Sequence, residues 1–191
     1  MTHFDTPTSA AVEQELQREQ YKRRYRRTLR STLVILITAA ALAVLVATLW
    51  LPVLQIYGSS MAPCLNEGEI VLSVRDETLE HGDVVAFYYG NKLLVKRYIA
   101  GPGQWVTVQE DGTVLVDGKE LNEPYVQEKA LGSCDLEFPY QVPDGKFFLM
   151  GDHRLSSVDS RHSSVGCVSA DQIVGKIIYR VWPLTTLGPV S

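Results

Sequence analysis

The chain of 191 residues is 46% hydrophobic and 21% charged, which excludes an intrinsically disordered or collagen-like chain, and its three cysteines are too few for a small disulfide-built scaffold. The formal net charge of −4 sums unlike parts: residues 1–31 hold seven Lys/Arg against four Asp/Glu, residues 32–54 hold no charge, and residues 55–191 hold eleven against eighteen. That distribution is not the footprint of a nucleic-acid binder.

Residues 9–30 (SAAVEQELQREQYKRRYRRTLR) form a polar, helix-favouring stretch. It can extend a membrane helix inward with its basic end near anionic headgroups, or serve only as a topology signal. The uncharged run that follows offers 22 residues from Leu33 to Leu54, about 33 Å of helix at roughly 1.5 Å per residue, enough to span a bilayer. A cleavable signal peptide is the rival reading, but its apolar core runs only about 7–15 residues. Arg18, Lys22, Arg23, Arg24, Arg26, Arg27 and Arg30 precede the span, and only Arg75 occurs in the first stretch after it. The positive-inside bias then keeps the N-terminus in the cytoplasm. Three segments are expected: a basic cytoplasmic segment (1–31), a transmembrane signal-anchor helix (32–54) and an extracytoplasmic domain (55–191). Trp50 and Tyr57 flank the outer end, where amphipathic rings favour the interface, although Trp50 serves equally as a helix-packing residue.

From Gln55 onward short apolar runs alternate with turn signals. EIVLSVR, DVVAFYYG, KLLVKRYIAG, QWVTVQ, TVLVDG, KFFLMGD and QIVGKIIYRVW read as strands, with turns at Glu67-Gly68, His81-Gly82, Gly90-Asn91, Asp111-Gly112 and Asp117-Gly118. Neither an internal repeat nor a second domain boundary interrupts the pattern. The expected fold class is mostly β: one antiparallel β-sheet unit behind one N-terminal transmembrane helix.

Two residues in this unit combine into chemistry. Ser60, in GSSMAPCL, follows the span by way of VLQIYG; alone it reads as a turn residue. Lys96 sits in LLVKRYIAG, a charge inside an apolar strand, and alone it reads as a side chain snorkelling to water. A serine hydroxyl needs a base, however, and a lysine can act as one once burial lowers its pKa, by up to roughly 3–5 units for full desolvation. Together they suit a Ser-Lys dyad. A Ser-His-Asp triad of Ser60, His153 and Asp152 or Asp159 stays open on composition. Cys64, Cys134, Cys167, His81, His153 and His162 show no CxxC or HxxxH spacing of a metal site.

These motifs resemble those of the type I signal peptidases, membrane-anchored serine peptidases that remove signal peptides from exported proteins. GSSMAPCL resembles the family's Ser-Met-x-Pro nucleophile motif, HGDVVAFYY its Gly-Asp plus apolar strand, VKRYIAGPGQ its lysine motif, and GDHRLSSVDSR its Gly-Asp-Asn-Arg and Ser-x-Asp-Ser-Arg run, all in the family's order. The connecting segments VTVQEDGTVLVDGKELNEPYV and QIVGKIIYRVWPL are similar as well.

The resemblance implies Ser60 as nucleophile, Lys96 as general base, Ser157 hydrogen-bonding and orienting Lys96, and an Asp159–Arg161 ion pair holding the loop beneath the site, with Gly151 and Asp152 shaping it. It implies an antiparallel β core related to that of self-cleaving repressor proteases. Gly58 stands where some members carry an oxyanion-binding serine, so the oxyanion hole falls to the Ser60 N–H and neighbouring backbone donors. Cys64, Ala100 and His153 replace the usual Thr, Gly and Asn. The implied substrate pockets are formed by Leu54, Ile56, Tyr57, Leu65, Leu94 and Val95, admitting small residues of Ala-x-Ala-like sites; their plain alternative is core packing. No cofactor or metal is implied. The implied partners are the signal peptides of exported preproteins, the lipid bilayer and the protein-export machinery, with no nucleic acid, at the bacterial cytoplasmic membrane. Cys134 and Cys167 either close a long loop as a disulfide or stay reduced. Two other readings remain: a peptidase for a narrow client such as a surface-fibre subunit, and a catalytically silent membrane-anchored binding domain.

Overall fold

The computed structural model describes residues 9–50, 52–75 and 78–190; the start of the basic segment, residues 1–8, lies outside them. The chain divides into two compact units, residues 1–49 and 50–191.

The first unit is one helix, α1 (Ser9–Trp50, 42 residues). Its apolar stretch is long enough to cross a membrane, and Leu33, Val34, Ile35, Leu36 and Ile37 are all more than half exposed. A helix that is apolar all round and covered by no protein suits a hydrocarbon environment. The hydroxyls of Thr32 and Thr38 donate to the carbonyls of Thr28 and Val34, which hides them within the helix itself. The helix ends at Trp50, earlier than the expected limit at Leu54. Pro52 has no N–H to donate and disfavours helix before it, so Val53 and Leu54 enter a strand. The interfacial role expected of the Trp50 ring lies outside the described side chains.

The second unit carries twelve described strands: β1 (Val53–Gln55), β2 (Ile70–Val74), β3 (Val84–Tyr89), β4 (Lys92–Ala100), β5 (Trp105–Val108), β6 (Val114–Val116), β7 (Lys119–Glu120), β8 (Tyr140–Gln141), β9 (Lys146–Met150), β10 (Val168–Ser169), β11 (Ile173–Trp182) and β12 (Gly188–Pro189). The larger sheet runs β1-β2-β11-β3-β4-β9-β10, with β12 on β11; the smaller runs β7-β6-β5-β8. Every pairing is antiparallel. The fold is therefore mostly antiparallel β with one N-terminal apolar helix, and each of the seven runs expected as strands contains one. The two-residue turns at Gly90-Asn91 and Asp117-Gly118 close hairpins whose flanking residues pair as Tyr89↔Lys92 and Val116↔Lys119. Asp117 and Gly118 both take positive φ (51° and 77°), as the tight primed turn requires.

One core cluster joins the smaller sheet (Val106, Val108, Val114, Val116) to Ile99, Phe148 and Met150 of the larger. Two others lie around Ile56, Met61, Leu65 and Ile177, and around Val85, Phe87, Tyr98 and Leu149. β4 is central to this arrangement: from Lys96 to Ala100 every residue is buried, because β3 and β9 flank it and side chains on both faces meet core.

Candidate active site

Ser60 follows β1 in a helical turn. Ala62 N–H donates to Ser59 O (3.0 Å), Leu65 N–H donates to Met61 O (2.9 Å), and Met61 and Leu65 anchor the turn by full burial. From the other side, His153 N–H donates to Ser60 O at 3.1 Å, fixing the serine backbone to the 151–161 loop. Lys96 reaches this serine from β4: its Nζ lies 2.6 Å from Ser60 Oγ in a hydrogen bond, and the lysine is 4% exposed. Burial lowers its pKa from near 10.5 to about 8, aided by Arg161 and opposed by Asp159 and Asp152. An amine so placed loses its proton within a unit or so of neutral pH and can then accept one from the hydroxyl.

Beneath the pair, three arginines and three carboxylates are buried together. Arg161 Nε and Nη2 donate to Asp159 Oδ1 and Oδ2, both at 2.8 Å. Arg97 grips Asp152 the same way at 2.8 and 2.7 Å, with its guanidinium 3.7 Å above the Tyr125 ring. Arg154 grips Glu123 and also donates to Gly151 O. Burial pushes Asp159 upward, but the hydrogen bonds and charge of Arg161 and the Gly151 N–H outweigh it and hold the carboxyl below its usual value. Paired so, Asp152 and Asp159 orient no histidine. His153 is exposed and shares a 2.7 Å hydrogen bond with Ser156. The triad is not assembled.

Ser157 corrects an expectation. Its Oγ is fully buried and makes no hydrogen bond to Lys96 among the described residues, and it helps to lower the pKa of the Asp159 carboxyl beside it. The side chain is pressed over Gly151 instead: a Cβ there would lie 2.2 Å from Ser157 Oγ and 2.6 Å from Ser60 O. Position 151 thus admits only glycine, and through it Ser157 packs against the nucleophile's own carbonyl.

A family model described as signal peptidase, peptidase S26, matches residues 29–182. The chain belongs to this family. Its curated relatives include signal peptidase I of Bacillus amyloliquefaciens, 35% identical over 78% of this chain and 82% of that protein. Signal peptidase I T of Bacillus subtilis (strain 168) is 33% identical over 80% and 84%, and signal peptidase I of Bacillus caldolyticus 38% over 72% and 85%. A crystal structure of a signal peptidase I from Enterococcus faecalis V583 aligns with a TM-score of 0.43 at 27% identity, covering 52% of this chain and 97% of that one. As a member of the S26 signal peptidase family, the chain is a serine endopeptidase.

The pocket residues expected in this S26 site divide. Leu54, Ile56, Leu65 and Val95 share one apolar cluster with Met61. Leu94 packs in the separate cluster around Val85 and Phe87, because alternation along β4 sends neighbouring side chains to different faces. Tyr57 is 76% exposed, its hydroxyl bonded to Gln55 Oε1. Gly58 has φ +81° with open space where a Cβ would stand. Cys134 and Cys167 are both reduced thiols, so the Cys134–Cys167 disulfide is not formed: Cys134 Sγ instead contacts Leu136 O, and Cys167 packs on the cluster joining the two sheets. Burial raises the Cys64 thiol pKa. Among the described residues no three His, Cys, Asp or Glu side chains converge as metal ligands.

Sequence reasoning left Arg97, Glu123, Tyr125 and the ion pair of Arg154 without roles. Arg97 carried the same signal as Lys96, a charge inside an apolar run, since such a charge must find a buried partner. Glu123 carried none, because its partner lies 31 residues away.

Proposed function

We propose that this chain removes N-terminal signal peptides from exported preproteins, with Ser60 as nucleophile and Lys96 as general base. The 2.6 Å contact between a buried lysine amine and the serine hydroxyl carries the reading. Neutral Lys96 takes the Ser60 proton as Oγ attacks the scissile carbonyl. The oxyanion is met by the Ser60 N–H and neighbouring backbone donors. The C–N bond then breaks and the leaving amine takes the proton from Lys96. A water, deprotonated by Lys96, hydrolyses the ester and restores Ser60.

Cleavage after small residues is supported by the apolar cluster that Leu54, Ile56 and Val95 share with Met61 and Leu65. β9 pairs with β4 only from Arg97 to Ala100, so residues 92–96 keep one edge open. An extended substrate can add there as a strand, and Gly58 leaves room for its backbone. Asp159 and Arg161 hold the loop under the dyad. The apolar helix anchors the enzyme in the cytoplasmic membrane, the Arg-rich flank keeps the N-terminus in the cytoplasm, and the β unit works outside, where the export machinery delivers precursors.

Detergent-solubilised protein, incubated with a preprotein, is expected to cleave it, and Ser60→Ala and Lys96→Ala to lose about 10⁴-fold in rate with the fold retained. Parent-like cleavage by either variant would exclude the dyad.

A further inference from the structure

A second concavity of about 370 Å³ adjoins the nucleophile, between Ala62 on the Ser60 turn, Gln127 and Glu128, and loop residues 152–155. Its lining ties it to the candidate active site: Ala62 is two residues beyond Ser60, and His153 N–H holds Ser60 O. Its volume lies in the range of substrate clefts.

The chemistry of its wall differs from that of the apolar cluster around Ile56 and Met61. There Leu54, Ile56 and Val95 are apolar; here the wall is polar, with Leu155 as one exposed apolar element. The charges also differ in how they are met. Asp152 is neutralised by Arg97 and Arg154 by Glu123, both buried. His153 shares its ring nitrogen with Ser156. Glu128 is exposed and, among the described residues, pairs with no cation. The wall therefore presents one uncompensated carboxylate.

An extended peptide whose scissile carbonyl lies on Ser60 Oγ must run to both sides of it, at about 3.3 Å per residue. The half that ends in small apolar residues matches the apolar cluster. The half that leaves as the amine, whose sequence belongs to the mature protein and is mostly polar, must run the other way. We infer that this concavity receives the first residues after the scissile bond, and that Glu128 gives it a preference for a cationic side chain among them. The inference rests on the signal-peptide-cleaving reading above and adds to it a discrimination on the mature side of the cut.

The test uses the full-length protein in detergent and quenched fluorescent peptides with one common Ala-x-Ala segment. Lys, Gln or Glu is placed in turn at each of the first four positions after the cut. At one or more of these the Lys/Glu ratio of kcat/KM is expected at about two- to fivefold at low salt, the scale of a single exposed ion pair. It should fall toward one in about 0.5 M salt. Glu128→Gln should bring the ratio toward one, and Glu128→Lys should invert it. A parent ratio of one at every position, or a ratio kept by both variants, overturns the inference while cleavage itself upholds the dyad. A parent that cleaves none of the peptides overturns both.

Discussion

Lysine is a base only when it lacks its proton, and Lys96 reaches that state by losing water rather than by gaining a partner. Its amine, buried against Ser60 with a pKa of about 8, is mostly protonated at pH 7, so below pH 8 the reactive fraction rises tenfold per pH unit. The expected profile of log kcat/KM has a slope of +1 below about pH 8 and a plateau above it; a flat profile from pH 6 to 9 would remove Lys96 as the base. The same shift acts on stability with a defined sign. Because the folded pKa lies below the ordinary 10.5, the unfolded chain holds the extra proton between pH 8 and 10.5. Burying the charged amine costs about 3 kcal/mol below pH 8, and that cost disappears as pH rises through the window. Lys96→Met abolishes this titration. Denaturant melts at pH 7 and pH 10 should show the stability of the parent relative to the variant rising by about that amount; an unchanged difference would mean the amine is not desolvated.

At the scale of elements, the loop from Gly151 to Arg161 keeps its shape through buried ion pairs that join distant segments. Arg154 to Glu123 links it to the segment after β7, and Arg97 to Asp152 links it to β4. Removing one partner of such a pair leaves a buried charge unmet, at a cost of about 3–5 kcal/mol, whereas replacing both with apolar groups of similar volume is often neutral. Glu123→Leu should therefore destabilise the β unit by that amount and lower its Tm. The double variant Glu123→Leu with Arg154→Met should recover most of the loss. Equal Tm for the single variant and the parent would show that the pair carries no structural load. This level was the least legible in the sequence. Ser60, Lys96 and the Asp159–Arg161 segment stood out because each lies in a compact motif, and the longer strands because alternation needs only four or five residues to show. Of the six described strands of two or three residues, β6 was legible from its run TVLVDG, whereas β1, β7, β8, β10 and β12 lie in no alternating run of their own. The Glu123–Arg154 pair is invisible to any local pattern, and so is the close packing of the Ser157 side chain over Gly151.

At the scale of the whole molecule, the charges of the chain sort by segment in a way that packing alone does not require. Seven basic residues lie on one side of the apolar stretch, with Lys22 paired to Glu19 at 3.0 Å and the arginines solvated along α1. Orientation follows the count of Lys and Arg near the membrane ends, so the basic flank should stay inside and residues 52–190 outside. External protease added to right-side-out vesicles should then degrade the β unit and leave a small membrane-embedded fragment. Inverted vesicles should protect the β unit and lose only the N-terminal segment. Replacing Arg23, Arg24, Arg26 and Arg27 with glutamine removes most of the asymmetry, since only Arg75 follows closely, and should yield a mixed population in both preparations. Protection of the β unit in right-side-out vesicles would reverse the orientation, and with it the side of the membrane on which the dyad meets its substrate.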